Sequence, residues 1–202
     1  MVTIIDYGVG NLFSLKSSFS FIGESATVTG DEEEIAKAEK LILPGVGAFK
    51  DAAEKLRARG LDLIIKKKAK EGTPLLGICL GMQLLFEKSY EYGEHEGLGL
   101  IPGAVRPIKA PGLKIPHIGW NSLHFLKEHP VFGRIKEGDF MYFVHSYCAE
   151  TDKDNLICTA EYGEEVAAAV CAGSVIGCQF HPEKSGEKGL DILRGFCEWE
   201  GI

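Results

Sequence analysis

The chain opens with a short β-branched run, Val2–Ile5, that gives way to a glycine-rich turn, Gly8-Val9-Gly10-Asn11. Beyond that turn Leu12, Leu15, Phe19 and Ile22 recur at spacings of three and four, which predicts an amphipathic helix. Ala26–Thr29 reads as a second strand and the polar stretch 31–40 as helix. Lys40–Leu43 reads as a buried-type strand that stops at Pro44-Gly45. Residues 48–70, rich in Ala, Leu, Lys and Glu, predict two helices broken at Gly60. Residues 74–78 form the next apolar strand, and 80–88 read as helix. Strands alternating with helices in this way predict βαβ units and a parallel sheet covered on both faces.

The pattern changes in the second half. Residues 98–181 carry many short β-type runs, at 115–126, 140–149, 156–161, 166–172 and 175–180, separated by Gly, Asp and Asn as in hairpins. A last helix is expected over 186–198, with Ser185 as its N-cap and Glu187 in its first turn. The expectation is one α/β domain over residues 1–202, with a mixed, mostly parallel central sheet flanked by helices and an antiparallel β region in its second half.

Composition narrows the function classes. With 202 residues the chain can bury one sizeable core, and 45% apolar with 25% charged residues is the profile of a folded globular protein. A net charge of −7 argues against a general nucleic-acid binder. The longest weakly polar stretch, 166–178, holds two glycines and a serine and falls well short of the roughly 20 apolar residues a membrane span needs. The start meets Asp6 with no basic region before it, unlike a signal peptide. Six scattered cysteines fit a reduced, cytoplasmic compartment. No C-x-x-C pair is present, and Cys178-x-x-His181 has too few partners to suggest a metal site. The run Lys66-Lys67-Lys68 reads as a solvated helix face.

The sharpest local feature is Gly77-Ile78-Cys79-Leu80-Gly81, set between a predicted strand and a predicted helix. This is the nucleophile-elbow pattern with sulfur in place of the serine oxygen. Two glycines permit a tight strand-to-helix turn that pushes the Cys79 side chain out at the carboxyl end of the sheet, where open α/β sheets bind ligands. The helix that follows points its N-terminus at the sulfur and favours thiolate, while the Leu80 N–H can donate to an oxyanion. Taken alone, the same residues also describe a buried cysteine in a glycine-rich turn. A thiolate nucleophile needs a base and the base an orienting group. His181-Pro182-Glu183, after the last apolar run, supplies both, and the expected triad is Cys79, His181 and Glu183. Pro44-Gly45-Val46-Gly47, at the end of another strand, offers further backbone donors for an oxyanion.

Other motifs stay open. Gly8-Val9-Gly10-Asn11 lacks the frame of a nucleotide-binding loop and defaults to a structural or interface turn. His145 alternates with Phe143 and Tyr147 and is either a second base or a sheet residue. His95, His124 and His129 read as solvated, and the cysteines other than Cys79 as small core residues.

The elbow with Gln83, the Pro-Gly-Val-Gly loop upstream and the His-Pro-Glu near the C-terminus together resemble the class I, triad-type glutamine amidotransferases. Asp6-Tyr-Gly-Val-Gly-Asn11, Pro116-His-Ile-Gly-Trp-Asn121, Tyr142-Phe-Val-His-Ser-Tyr147 and His181-Pro-Glu-Lys-Ser185 narrow the resemblance, which spans essentially the whole chain, to the glutaminase subunits of imidazole glycerol phosphate synthases. It implies a flavodoxin-like amidotransferase domain that hydrolyses glutamine through a Cys79 thioester, with no cofactor or metal. It also implies an oxyanion hole from Gly45, Val46, Gly47 and Leu80, and a glutamine pocket at Gln83, His145, Ser146 and Tyr147. The implied partner is a (β/α)8-barrel cyclase subunit that receives the ammonia in a heterodimer and activates the glutaminase, with 8–11 and 116–121 as interface or relay segments. Competing readings are a glutaminase of another pathway such as vitamin B6 assembly, a cysteine peptidase or thioesterase on the same elbow, and a non-catalytic binding subunit.

Overall fold

A computed structural model describes residues 1–201. The first half runs β1 (Val2–Ile5), α1 (Leu12–Phe21), β2 (Ala26–Thr29), α2 (Glu32–Ala36), β3 (Lys40–Leu43), α3 (Phe49–Ala58), α4 (Leu61–Lys70), β4 (Leu75–Ile78) and α5 (Leu80–Leu84). The second half adds β5 (Phe86–Ser89), β6 (His95–Glu96), β7 (Ile101–Pro107), β8 (His117–Ser122), β9 (His124–Phe125), β10 (Phe140–His145), β11 (Tyr147–Glu150), β12 (Leu156–Glu161), β13 (Glu165–Ala172), β14 (Val175–Cys178) and α6 (Gly186–Glu198).

The main sheet orders its strands β2-β1-β3-β4-β14-β13-β12-β9. The first five are parallel and the last three pair antiparallel. Strands β1, β3, β4 and β14 are buried along their whole length because helices or further β structure cover both faces. Their alternate residues feed two separate cores. Ile42 and Leu76 join α1 and α6 on one face, while Leu41, Leu43 and Leu75 join α3, α4 and α5 on the other. A second sheet, β11-β7-β5-β6, and a two-stranded ribbon, β10-β8, stand beside the carboxyl ends of the main strands. Burying both faces of β3, β4 and β14 packs these neighbouring strands tightly side by side.

Several elements depart from the expected bounds. The helix read over 80–88 ends at Leu84, because segment 97–101 takes the carbonyls that a longer helix would use: Leu98 N–H donates to Leu84 O at 2.8 Å and Ile101 N–H to Leu85 O at 3.0 Å. Residues 86–89 then pair with β7 and β6 instead. The helix read over 31–40 shrinks to α2, capped by the Asp31 side chain, and Lys40 already belongs to the sheet. The run 115–126 divides at the fully buried Leu123, with β8 joining the ribbon and β9 the main sheet. The run 140–149 divides at Ser146, with β10 in the ribbon and β11 in the second sheet. Ser185 precedes α6 without a side-chain cap; its Oγ donates to His181 O at 2.6 Å and accepts from Tyr142 N–H at 3.0 Å. Lys68 is buried on the inner side of α4 rather than solvated. His129 is also buried, against Trp199 and Phe132, and desolvation lowers its pKa to about 4.

Candidate active site

Three adjacent parallel strands, β3, β4 and β14, end on the same side of the sheet and deliver the expected chemistry to one place. Cys79 follows β4 directly, and its N–H continues the ladder to Cys178 O at 2.8 Å. Its backbone then turns to φ 54° and ψ −111°, a conformation that costs a non-glycine residue about 1–3 kcal/mol. The glycines make this turn possible. A Cβ at Gly77 would stand 2.7 Å from Gly81 O, and one at Gly81 would collide with Leu43 O. Gly45 faces the same crowding, because its Cβ would lie 2.6 Å from Gly81 N. The loop 44–47 therefore packs directly against the start of α5. Behind it, the Tyr7 hydroxyl donates to Pro44 O at 2.7 Å, and Gly10 sits against the Pro44 ring. The turn 8–11 thus buttresses loop 44–47, and Asn11 caps α1.

A cleft of about 680 Å³ opens over the sulfur, lined by Cys79, Leu80, Val46, Gly47, Gln83, His181 and 144–147. Gly45 lies behind this wall and Glu183 behind His181. His181 and Glu183 leave β14 together: Nδ1–H donates to Glu183 Oε1 at 2.9 Å, with both side chains buried. Glu183 Oε2 is buried with no hydrogen-bond partner among the described residues, so the imidazole is the natural counter-charge for that carboxylate. Burial alone would depress the His181 pKa. Hydrogen bonds to Cys79 and Glu183, and their negative charges, outweigh it and push the pKa up to about 9. The arrangement can hold a thiolate beside an imidazolium and pass one proton between sulfur, nitrogen and a ligand in the cleft.

The residues expected to bind a substrate divide by what they have left to offer. Gln83 donates from Nε2 to Tyr147 O at 3.1 Å and to Gln179 Oε1 at 2.9 Å. Both hydrogens are committed, so toward a ligand Gln83 presents only an acceptor. His145 borders the cleft, but its Nδ1–H donates to Tyr147 O at 2.8 Å and its Nε2 pairs with His117 Nδ1 at 2.9 Å. Of the two roles left open for it, sheet residue rather than second base fits this saturated geometry. His117 is clasped between the rings of Phe143 and Tyr162. Desolvation lowers the pKa of both histidines to about 4, and they stay neutral.

Sequence reasoning missed two residues here, Gln179 and Glu91, and the partner of a third, His117. Gln179 is completely buried, and its Nε2 lies 3.7 Å from the Cys79 sulfur. A polar residue inside an apolar run, two places before His181, was the available signal. His117 was seen, but its partner is 28 positions away. Glu91, in a loop with no motif, lines the cleft and accepts from the Phe49 N–H at the start of α3 at 2.6 Å.

Comparison with known proteins agrees with this geometry. The chain matches the family described as "Glutamine amidotransferase class-I" over residues 3–198. It is 50% identical over 196 residues to the imidazole glycerol phosphate synthase subunit HisH of Bacillus cytotoxicus, covering 97% of this chain and 93% of that protein. It is 51% identical over 199 residues to the same-named subunit of Caldanaerobacter subterraneus subsp. tengcongensis, covering 98% of each. Among solved structures, one described as a glutamine amidotransferase superposes with a TM-score of 0.77 at 20% identity, covering 98% of this chain and 97% of that one. PurLQS from Thermotoga maritima superposes at 0.75 with 22% identity, covering 98% and 97%; both likenesses speak to the fold. The elbow, the paired His181 and Glu183, and a family match across nearly the whole length place this chain in the class-I glutamine amidotransferase family, as an enzyme.

Proposed function

We propose that the chain is the glutaminase subunit of an imidazole glycerol phosphate synthase, acting as one amidotransferase domain. Identity near 50% to subunits of that name, over nearly the full length of each, carries this reading. In the proposed reaction the Cys79 thiolate attacks the carboxamide carbon of L-glutamine. Negative charge develops on the carboxamide oxygen, and N–H groups of Leu80 and of the Gly45-Val46-Gly47 loop receive it. His181 gives its proton to the departing nitrogen; ammonia leaves and a γ-glutamyl thioester remains. His181 then takes a proton from water, hydroxide attacks the thioester, and glutamate departs from the restored thiolate. Glu183 holds the imidazole in orientation throughout. Gln83, Ser146 and Tyr147 border the glutamine, with His145 behind them. Glu91 supplies negative charge for the substrate ammonium.

The ammonia passes to a (β/α)8-barrel cyclase subunit, which converts PRFAR to imidazole glycerol phosphate and AICAR. The β8–β10 ribbon supports a partner on this side. One of its faces buries His117 and His145 while the other exposes Ile118 and Trp120 at 58% and 55%. Among the described residues no helix is long and apolar enough to cross a membrane, and a cytoplasmic heterodimer free of nucleic acid fits the pathway. Loop 44–47, where Gly47 sits at φ 92°, is the switch by which the partner turns hydrolysis on. Glutamate release tests the whole reading, measured for the chain alone, with a cyclase subunit, and with cyclase plus PRFAR. Low activity alone and a large rise with both is expected. Strong activity indifferent to the cyclase would assign the same chemistry to another pathway. An unchanged rate in Cys79→Ala would remove the chemistry itself.

A further inference from the structure

Among the described residues the Cys79 sulfur has two hydrogen-bonding contacts outside the triad, and they favour opposite protonation states. Val144 O lies 3.9 Å away and can only accept, so it favours the thiol. Gln179 Nε2 lies 3.7 Å away and can only donate, so it favours the thiolate. Which end of the Gln179 carboxamide faces the sulfur is settled by a chain of groups with fixed polarity. Tyr147 O can only accept, and it receives hydrogens from His145 Nδ1 and from Gln83 Nε2. Gln83 must therefore turn its nitrogen inward. The Gln179 atom opposite that nitrogen, 2.9 Å away, must be oxygen, which leaves Nε2 on the sulfur side. The reverse orientation would set two NH2 groups against each other in a fully buried place.

The same polarity runs back to the ribbon. With its Nδ1 protonated, neutral His145 accepts at Nε2 from His117 Nδ1–H, and His117 accepts at Nε2 from Asn121 Nδ2–H at 3.3 Å. A second proton on His145 would point two N–H groups at each other across 2.9 Å, and one on His117 would face the Asn121 amide N–H at 3.3 Å.

We propose that Gln179 is a further catalytic residue of this enzyme: clamped by Gln83, it donates a hydrogen bond to the Cys79 sulfur and stabilises the thiolate that attacks glutamine. The inference rests on Cys79 being the nucleophile. A donor aimed at a buried anion is worth more than one aimed at a neutral group, and thiolate fraction sets nucleophilic rate. The other titratable groups facing the sulfur are His181 with Glu183 behind it, Tyr7 from the end of β1, and Cys178 from β14; His145 faces His181 from β10.

The test is alkylation of the full chain by iodoacetamide across pH, which forms a thioether at sulfur and expels iodide, read on the Cys79 peptide by mass. In Gln179→Met the rate at neutral pH should fall about tenfold and the profile should move up by about one pH unit. Gln179→Glu keeps the shape, removes the donor and adds negative charge, and should shift the profile in the same direction. A merely structural role would lower the melting temperature and leave the profile where it is in the native chain. An unmoved profile in whichever variant folds overturns the proposal. If instead Cys79→Ala still hydrolyses glutamine, the nucleophile assignment fails first, whatever Gln179 does.

Discussion

Two buried imidazoles border the same cleft and differ in charge, His181 favouring the protonated ring and His145 the neutral one. His181 and His145 are 2% and 6% exposed, so solvent barely reaches either. Burial penalises the imidazolium in both, yet the pKa is about 9 for His181 and about 4 for His145. The difference lies in the partners. His181 stands between the Cys79 sulfur, negative as thiolate, and a carboxylate, and both negative charges reward a proton on the ring. His145 stands between a neutral histidine and a backbone carbonyl, with His181 itself adding repulsion. One site thus keeps an imidazole that moves a proton and another that holds neighbours in place. Burial supplies the low dielectric, and the partner decides the charge.

Breaking the His181 side should have the largest effect. Glu183→Gln keeps a hydrogen-bonding group but removes the counter-charge. Glutamine hydrolysis should fall about a thousandfold in kcat at saturating substrate, with the His181 titration moved downward. Converting the His145 side is the next test. His117→Glu gives His145 an acidic partner, so the His145 titration should rise above its present value of about 4 and His181 should lose part of its proton affinity. A fall of about tenfold in kcat, with little change in KM, is expected from steady-state rates. His117→Phe is milder. It preserves stacking between Phe143 and Tyr162 but strips a partner from His145 Nε2, and should cost about 1–3 kcal/mol in denaturant unfolding.

The mildest test changes no residue and reads stability against pH. His117, His129 and His145 have folded pKa values of about 4, below the ordinary value of 6.5. The unfolded chain binds more protons in that window, so their contribution is full above pH 6.5 and is lost as pH falls toward 4. His181 has the opposite sign. Its contribution is full below 6.5 and is lost as pH rises through about 9. Melting temperature against pH should therefore fall on both sides, and His117→Phe should flatten only the acid limb.

The His181 side of this comparison was legible in the sequence and the His145 side was not. Cys79 announces itself because glycines on both sides, between a strand and a helix, leave the chain few ways to turn. His181 and Glu183 are two residues apart, so local geometry brings them together. Their convergence follows from strand order, since β4 and β14 are parallel neighbours. The other network is built from contacts such as Gln83 to Gln179, 96 positions apart, and His117 to His145, which no local pattern encodes. The same limit truncated α5. Leu84 and Leu85 suit a helix, but a tertiary partner, segment 97–101, claims their carbonyls. The divided runs at Leu123 and Ser146 likewise show β propensity in the sequence without saying which sheet each half joins.

The most direct test is NMR titration of histidine side chains labelled at the ring nitrogens, in the native chain and in Cys79→Ala. The account predicts His181 protonated through neutral pH with a midpoint near 9, His145 neutral down to about 4, and the His181 midpoint falling when the sulfur is removed. Two native histidines titrating together at an ordinary value, indifferent to Cys79, would contradict it.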